Sequence, residues 1–362
     1  MTAESGLGAV EWGLGTVESG LGSAVLVVGG ANVDLKARSA APLVPETSNP
    51  GSTVLSPGGV GRNIAEVAAR LGARVSLVSI VGADALGDDL LGTTAEAGVD
   101  IALVQRTATA TGTYTALLDA TGDLVAAVAD MAAIEQLDPA PVAAVIAHAE
   151  PGTIVVLDGN LLPDALAHLL AAAGSGLRVV LDPVSVPKAV RLLPALAGPP
   201  TAGEPVRDAS PGSVSPAVAR SAGPAWAGLF LLTPNRDELA ALTGLAVDTD
   251  DALIAAAESL RERGITWVWV RLGAAGSVMV GPDGATVLPA YSVDVVDVTG
   301  AGDAMLGAFC QALASGASVE EAARIGQAAA ALTVASPDTV RTDLTPALIS
   351  TLMKETTDAA AH

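Results

Sequence analysis

Six short runs of almost uninterrupted apolar residues recur along the chain: AVLVVGG (24–30), RVSLVSIVG (74–82), GTIVVLDG (152–159), LRVVLDP (177–183), LFLLTP (229–234) and TWVWVRLG (266–273). Each ends in Gly or Pro, and helix-length segments separate most of them. Strands that are apolar on both faces need cover on both faces, and parallel strands need crossovers long enough to hold a helix. The pattern predicts an α/β layer fold on a mostly parallel central sheet. A different texture occupies STVLS (52–56), GTYTALLD (112–119) and DLVAAVAD (123–130), where strands follow one another without helices and the last two meet at Ala120-Thr121-Gly122. These runs predict a small projecting sheet, with lid segments at about 32–56 and 100–131. Open α/β sheets bind ligands at the carboxyl ends of their strands, where such a projection covers the crevice.

Two segments stand outside this rhythm. Residues 4–22 repeat E-x-G-L-G three times at a spacing of seven. Two glycines per repeat would cost a helix about 2 kcal/mol each time, so residues 1–23 read as a flexible tail and not as a coiled coil. Residues 198–225 are rich in Pro, Gly, Ser and Ala, lack apolar periodicity and read as a disordered insertion. The folded domain is then expected at 24–356, around that insertion, with a short tail at 357–362.

Charge narrows the partners. The net charge is −21 and the only lysines are Lys36, Lys188 and Lys354, so the field repels nucleic acid and anionic membrane surfaces. An anionic ligand would have to be held by local N–H groups, a few arginines and a metal counterion. No apolar run reaches membrane-spanning length, the N-terminus lacks a signal-peptide pattern, and the single cysteine, Cys310, forms neither an internal disulfide nor a zinc cluster. A soluble, cytoplasmic protein is expected.

Four clusters carry candidate chemistry. VVGGANVD ends in Asn32 and Asp34 and lacks the third glycine of a dinucleotide fingerprint; it reads as a turn or as polar groups for a hydroxylated ligand. SPGGVGRNIAEVAARLG sets Gly58, Gly59 and Gly61 before an amphipathic helix, with Asn63 in its first turn. In TPNRDEL, Asn235 and Glu238 have the spacing of a reciprocal capping pair and equally could face the water shell of a magnesium ion. In DVTGAGD, Thr299 to Gly302 form a turn whose backbone N–H groups can cradle a phosphate, with Asp303 at the start of the following helix, placed to take a proton. No G-x-x-x-x-G-K-[ST] motif occurs, which excludes a P-loop enzyme.

GGVGRN, TPNRDE and DVTGAGD, in this order and at these separations, resemble the ribokinase-like (phosphofructokinase B) family of sugar and nucleoside kinases, over about residues 24–355. The resemblance implies a three-layer ribokinase-like fold with a small β lid, ATP as phosphoryl donor and Mg2+ as counterion. It makes Asp303 the general base and the N–H groups of Gly300, Ala301 and Gly302 an anion hole. It assigns the sugar to Asp34, Gly59 and Asn63, with Asn32 and Gly58 beside them. Asn235 and Glu238 would organise magnesium and the ATP phosphates, while Arg271, Gly273 and Thr299 would line the nucleotide pocket. Many members bind K+ near the strand carrying Asp297 and Thr299, although residues 335–339 do not match the later part of that site. Within the family, SNPG (48–51), VADM (128–131) and LDPVS (181–185) resemble the pseudouridine kinases, which implies phosphorylation of the 5′-hydroxyl of pseudouridine and places Asn49, Asp130 and Lys188 near the base. Ribokinase, fructokinase or another sugar or nucleoside kinase is the alternative. A non-catalytic sugar-binding relative is expected to have lost the base or the anion hole, and both motifs are present. A lid with exposed edges implies a homodimer.

Overall fold

The computed structural model describes residues 24–197 and 228–360; the glycine-repeat tail and the segment 198–225 lie outside the described residues. The chain opens with β1 (Val25–Val28), β2 (Asn32–Ser39), β3 (Gly51–Gly58), α1 (Val60–Arg70), β4 (Val75–Val78), β5 (Ile80–Gly82), α2 (Ala85–Glu96), β6 (Gln105–Thr107), β7 (Thr113–Leu118) and β8 (Leu124–Asp130). It continues through α3 (Pro139–Ala147), β9 (Ile154–Asp158), α4 (Pro163–Ala172), β10 (Arg178–Asp182), α5 (Val186–Ala197), β11 (Leu229–Leu232), α6 (Arg236–Thr243), α7 (Asp250–Arg261) and β12 (Trp267–Arg271). It closes with β13 (Ser277–Gly281), β14 (Gly284–Leu288), α8 (Ala301–Ala314), α9 (Val319–Val334) and α10 (Pro346–Ala360). Because α10 runs to Ala360, the expected tail from 357 begins inside a helix.

The main sheet has eight strands in the order β14-β13-β12-β11-β10-β9-β1-β4, parallel from β4 through β12 and antiparallel at β13 and β14. Side chains alternate across each strand, so both faces are apolar. Leu26, Val28, Val155 and Leu157 enter one core with Leu166, Leu192, Leu239 and Leu253 of α4 to α7. Val25, Val27, Ile154 and Val156 enter another with Ile64, Leu306 and Phe309 of α1 and α8. This is the physical content of the continuous apolar runs: each strand is buried twice, and three layers result. The hairpin of β13 and β14 was not anticipated, although Asp283-Gly284, with Gly284 at φ +106°, is a recognisable turn signal.

A second sheet, β3-β2-β7-β8, forms the projecting lid. Its β7–β8 turn is held by the Asp119 carboxylate, which accepts from the backbone N–H of Thr121, Gly122 and Asp123. The expected strand at 74–82 divides at Ser79, whose hydroxyl donates to Gly29 O at 2.7 Å. Beyond that bend β5 pairs with β6 in a separate two-stranded sheet, so residues 105–107 do not belong to the lid.

Candidate active site

Strand β1 has β4 on one side and β9 on the other, so the chain reverses its winding direction there, and the crevice at such a switch point is where open α/β sheets bind ligands. At its carboxyl end Gly29 and Gly30 lie against Asp158, the last residue of β9. The Asp158 side chain has no exposed surface and accepts from Gly30 N at 2.8 Å, Gly61 N at 2.9 Å and Asn160 N at 2.8 Å. Burial raises its carboxyl, and the N–H groups of Gly30 and Asn160 oppose that rise. Asp158 thereby caps α1 from a neighbouring strand, since Gly59 at the N-cap has no side chain to do so. Gly59 sits at φ +96°, and a Cβ there would meet the Gly30 backbone; one at Gly61 would meet Gly29. Gly59 and Gly61 therefore serve close packing of two backbones, while Gly58 leaves room for the Asp34 carboxylate.

That packing delivers Asn63 to Asp303. The Asn63 amide donates to Asp303 Oδ2 at 2.8 Å across 240 residues of sequence. Asp303 lies in the first turn of α8, a fourteen-residue helix whose N-cap, Gly300, at φ +77°, offers no side-chain acceptor to the leading N–H groups. A Cβ at Gly300 would collide with Thr339 O. Burial pushes the Asp303 carboxyl up to about 7; Asn63 and Arg271 oppose the rise and the carboxylates of Asp182 and Asp158 add to it. A carboxylate in that range, at the positive end of a helix, can exchange a proton at neutral pH.

Arg271, at the end of β12, packs against Gly302 and pairs with two buried acids: Nη1 with Asp182 Oδ2 at 3.1 Å and Nη2 with Glu238 Oε2 at 3.2 Å. Asn235 and Glu238 form the reciprocal capping box anticipated from their spacing, so the capping role is real, and Glu238 also faces the site through Arg271. Burial raises the Glu238 carboxyl and Arg271 opposes it. Gly273 begins an exposed turn after β12, at φ +58°.

From the lid, Asn32 Nδ2 donates to Asp34 Oδ1 at 2.7 Å, and burial raises the Asp34 carboxyl against that hydrogen bond. Lys36 donates from the lid to Asp297 Oδ2 at 2.9 Å, while Thr299 N donates to Asp297 Oδ1 at 2.8 Å. The carboxylate expected to attract potassium is thus already balanced by an ammonium group. Asp130 ends β8 in register with Thr113, which is in register with Val33, so it lies at the root of the lid near Asn32. Lys188 donates to Asn160 Oδ1 at 2.5 Å beside the ends of β9 and β10; burial lowers its ammonium and Asp158 opposes that. Asn49 is not brought to this group. Its side chain is consumed in its own loop by Val44 and Thr47, beyond the Ser39–Gly51 end of the lid hairpin, five residues along the strand from Asp34, or about 17 Å.

Sequence reasoning missed Asp158, Arg62 and Asp182. Asp158 and Asp182 each close an apolar run, LDG and LDP, and that placement at a strand's carboxyl end was the available signal. Arg62 had no such signal beyond its place next to Asn63. Among the described residues no group of three or more His, Cys, Asp or Glu side chains is arranged to hold a metal, and no helix is long and apolar enough to cross a membrane.

A lidded α/β sheet with a carboxylate at the mouth of an uncapped Gly-Ala-Gly helix start defines a phosphotransferase class of site. The chain belongs to the pfkB family of carbohydrate kinases, whose model matches residues 23–199 and 206–346. It is 29% identical to the pseudouridine kinase of Escherichia coli over 91% of this chain and 96% of that protein. A carbohydrate kinase from Agrobacterium tumefaciens superposes with a TM-score of 0.71 at 28% identity, covering 91% of this chain and 96% of that one. Arabidopsis thaliana ribokinase, solved with ribose and ATP, shares the fold with a TM-score of 0.73 at 23% identity, covering 92% of this chain and 99% of its own.

Proposed function

We propose that the protein is an ATP-dependent kinase that phosphorylates the 5′-hydroxyl of pseudouridine. The observation that carries the kinase chemistry is the contact of Asn63 with Asp303 beneath the open Gly300-Ala301-Gly302 turn. Asp303 takes the proton of the acceptor hydroxyl as its oxygen bonds to the γ-phosphorus; the bond from phosphorus to the bridging oxygen breaks, and its electron pair leaves with ADP. Asp303 then returns the proton to solvent. The N–H groups of residues 300–302 donate to the non-bridging oxygens, and Arg271 adds positive charge beside Gly302. Two buried acids, Asp182 and Glu238, share the single Arg271 cation, a local excess of negative charge that suits a hard divalent ion. Magnesium supplied with the nucleotide would screen the phosphate charge there, with Glu238, Asn235 and Asp182 facing its water shell. Asn32, Asp34, Gly59 and Asn63 hold the ribose, and Asp130 and Lys188 stand on the side from which the base is read.

The choice of pseudouridine is supported by end-to-end similarity to the E. coli enzyme. Phosphoryl transfer from Mg-ATP measured with pseudouridine, uridine, ribose and fructose tests it. Pseudouridine is expected to give the highest kcat/KM, because its extra ring N–H offers a donor that uridine lacks. An equal or higher value for ribose or fructose would reassign the acceptor while leaving the kinase chemistry in place.

The lid supports a homodimer: every residue of its edge strand β8 is exposed, and Val54, Leu55, Leu124, Val125 and Val128 present apolar surface to solvent. The acidic charge and cysteine content favour a small-molecule enzyme of the cytoplasm with no nucleic-acid or membrane partner.

A further inference from the structure

Arg62 is a cation on the first turn of α1 with only 3% of its surface exposed, and none of the chemistry above uses it. Its guanidinium is divided among three partners: Nε donates to Thr94 Oγ1 at 3.2 Å, Nη1 donates to Asn63 Oδ1 at 3.1 Å, and Nη2 pairs with the Glu66 carboxylate. Glu66 is itself held by Arg70 at 2.6 Å, and Arg70 Nη1 donates to Thr342 O at 3.0 Å. A buried Arg–Glu pair contributes little net stability compared with an apolar pair of similar volume, so packing alone gives no reason for an arginine here.

The contact with Asn63 gives one. A carboxamide has an accepting end and a donating end. Once Arg62 claims the oxygen, the amide N–H2 must face Asp303, and a carboxyl oxygen that receives an N–H presents a lone pair in return. We infer that Arg62 is a positioning residue: by fixing the flip of the Asn63 amide it keeps Asp303 a hydrogen-bond acceptor, ready to take the proton of the acceptor hydroxyl.

This inference deepens the assignment of Asp303 as base and rests on it. The charged groups around Asp303 are Arg62 on α1, Asp158 on β9, Asp182 on β10 and Arg271 on β12, with the neutral Asn63 amide hydrogen-bonded to it. Those around Arg62 are Asp34 on the lid, Glu66 and Arg70 on its own helix and Asp303 on α8. The acids at β9 and β10 favour a protonated Asp303, and the Arg62–Asn63 pair works against them.

The titration of Asp303 can be read without any substrate. The urea unfolding free energy of a protein and of its D303N derivative is compared across pH; the difference slopes between the unfolded-state and folded-state proton affinities of Asp303, so its upper bend, where it levels off, reports the folded-state affinity in that background. In R62M, which keeps a long apolar side chain, that bend is expected to rise by about one pH unit, a tenfold tighter proton. Should R62M fold poorly with Glu66 left against Arg70 alone, R62M/E66Q removes the buried pair together and must show the same rise. In an N63A background most of the rise must vanish, because the effect passes through the amide. With Mg-ATP and pseudouridine the acid limb of kcat/KM should move by the same amount while the KM for ATP holds. An unmoved bend in R62M and R62M/E66Q overturns the inference, and so does a rise of equal size when R62M is placed in the N63A background, which would make the effect a direct charge interaction. Failure of the wild type to phosphorylate any of the four acceptors would instead count against the proposed function, and the stability titration would still decide the role of Arg62.

Discussion

The Nη1 atom of Arg271 occupies the space where a Cβ on residue 302 would stand, so Gly302 is the residue that allows a guanidinium to lie along the start of α8. The position is fixed from both sides, because Asp182 and Glu238 hold that guanidinium in place.

Gly302→Ala should therefore injure the reaction and spare the fold. The added methyl must displace either the guanidinium or the turn, and kcat is expected to fall by about 10²- to 10³-fold, the usual worth of a misplaced anion-hole donor. Steady-state kinetics beside a melting curve checks it. Unchanged kcat would place the transferred phosphoryl group elsewhere.

Asp303→Asn should lower kcat by roughly 10²- to 10⁴-fold. The same change should stabilise the protein at alkaline pH. The folded state binds the Asp303 proton more tightly than the unfolded chain, with an affinity near pH 7 against an ordinary value of 3.8. Its contribution to stability is therefore full below about pH 4 and is lost as pH rises through about 7, by a few kcal/mol at most. Melting temperatures of the two proteins should converge at low pH and separate above neutrality, with the asparagine variant higher. A constant offset at all pH values would contradict the raised carboxyl.

As the proposed base, the same group should govern the rate of the free enzyme. The acid limb of kcat/KM is expected to bend near pH 7, well above the range of an ordinary aspartate, since only ionised Asp303 accepts a proton. A limb that bends near pH 4 would show a normal carboxylate and remove burial from the mechanism.

The pair of Lys36 with Asp297 ties the lid to the loop before the anion turn, with 29% of each side chain exposed. Because an ammonium already balances Asp297, replacing K+ by choline at constant ionic strength should change wild-type kcat by less than about twofold. Lys36→Met should raise the acceptor KM by loosening the lid and create a dependence on K+. A wild type that needs K+, or a Lys36→Met variant indifferent to it, would mean that the ammonium does not serve as the local cation.

How much of this was legible follows from distance along the chain. The apolar runs dictated a parallel sheet because each strand's double burial is written in consecutive residues, and Thr299 to Asp303 announced a glycine turn opening a helix with an acid in its first turn because these residues are neighbours in sequence. The Asn235–Glu238 capping box was equally local, which is why its two readings could be named in advance and why spacing could not choose between them. Other features depend on groups that meet only when the layers close: Asp158 reaches Gly30 across 128 residues, and Asn63 reaches Asp303 across 240. Nothing in the residues around Asp158 distinguishes an acid that caps a helix on another strand from one that merely ends its own. Nor does a run such as SNPG disclose that Asn49 folds its amide back onto Val44 and Thr47. The sequence alone determined the sheet, the lid and the place of Asp303 at the start of its helix; tertiary structure alone decided which buried charges surround that carboxylate, because pairing and desolvation are set by neighbours in space.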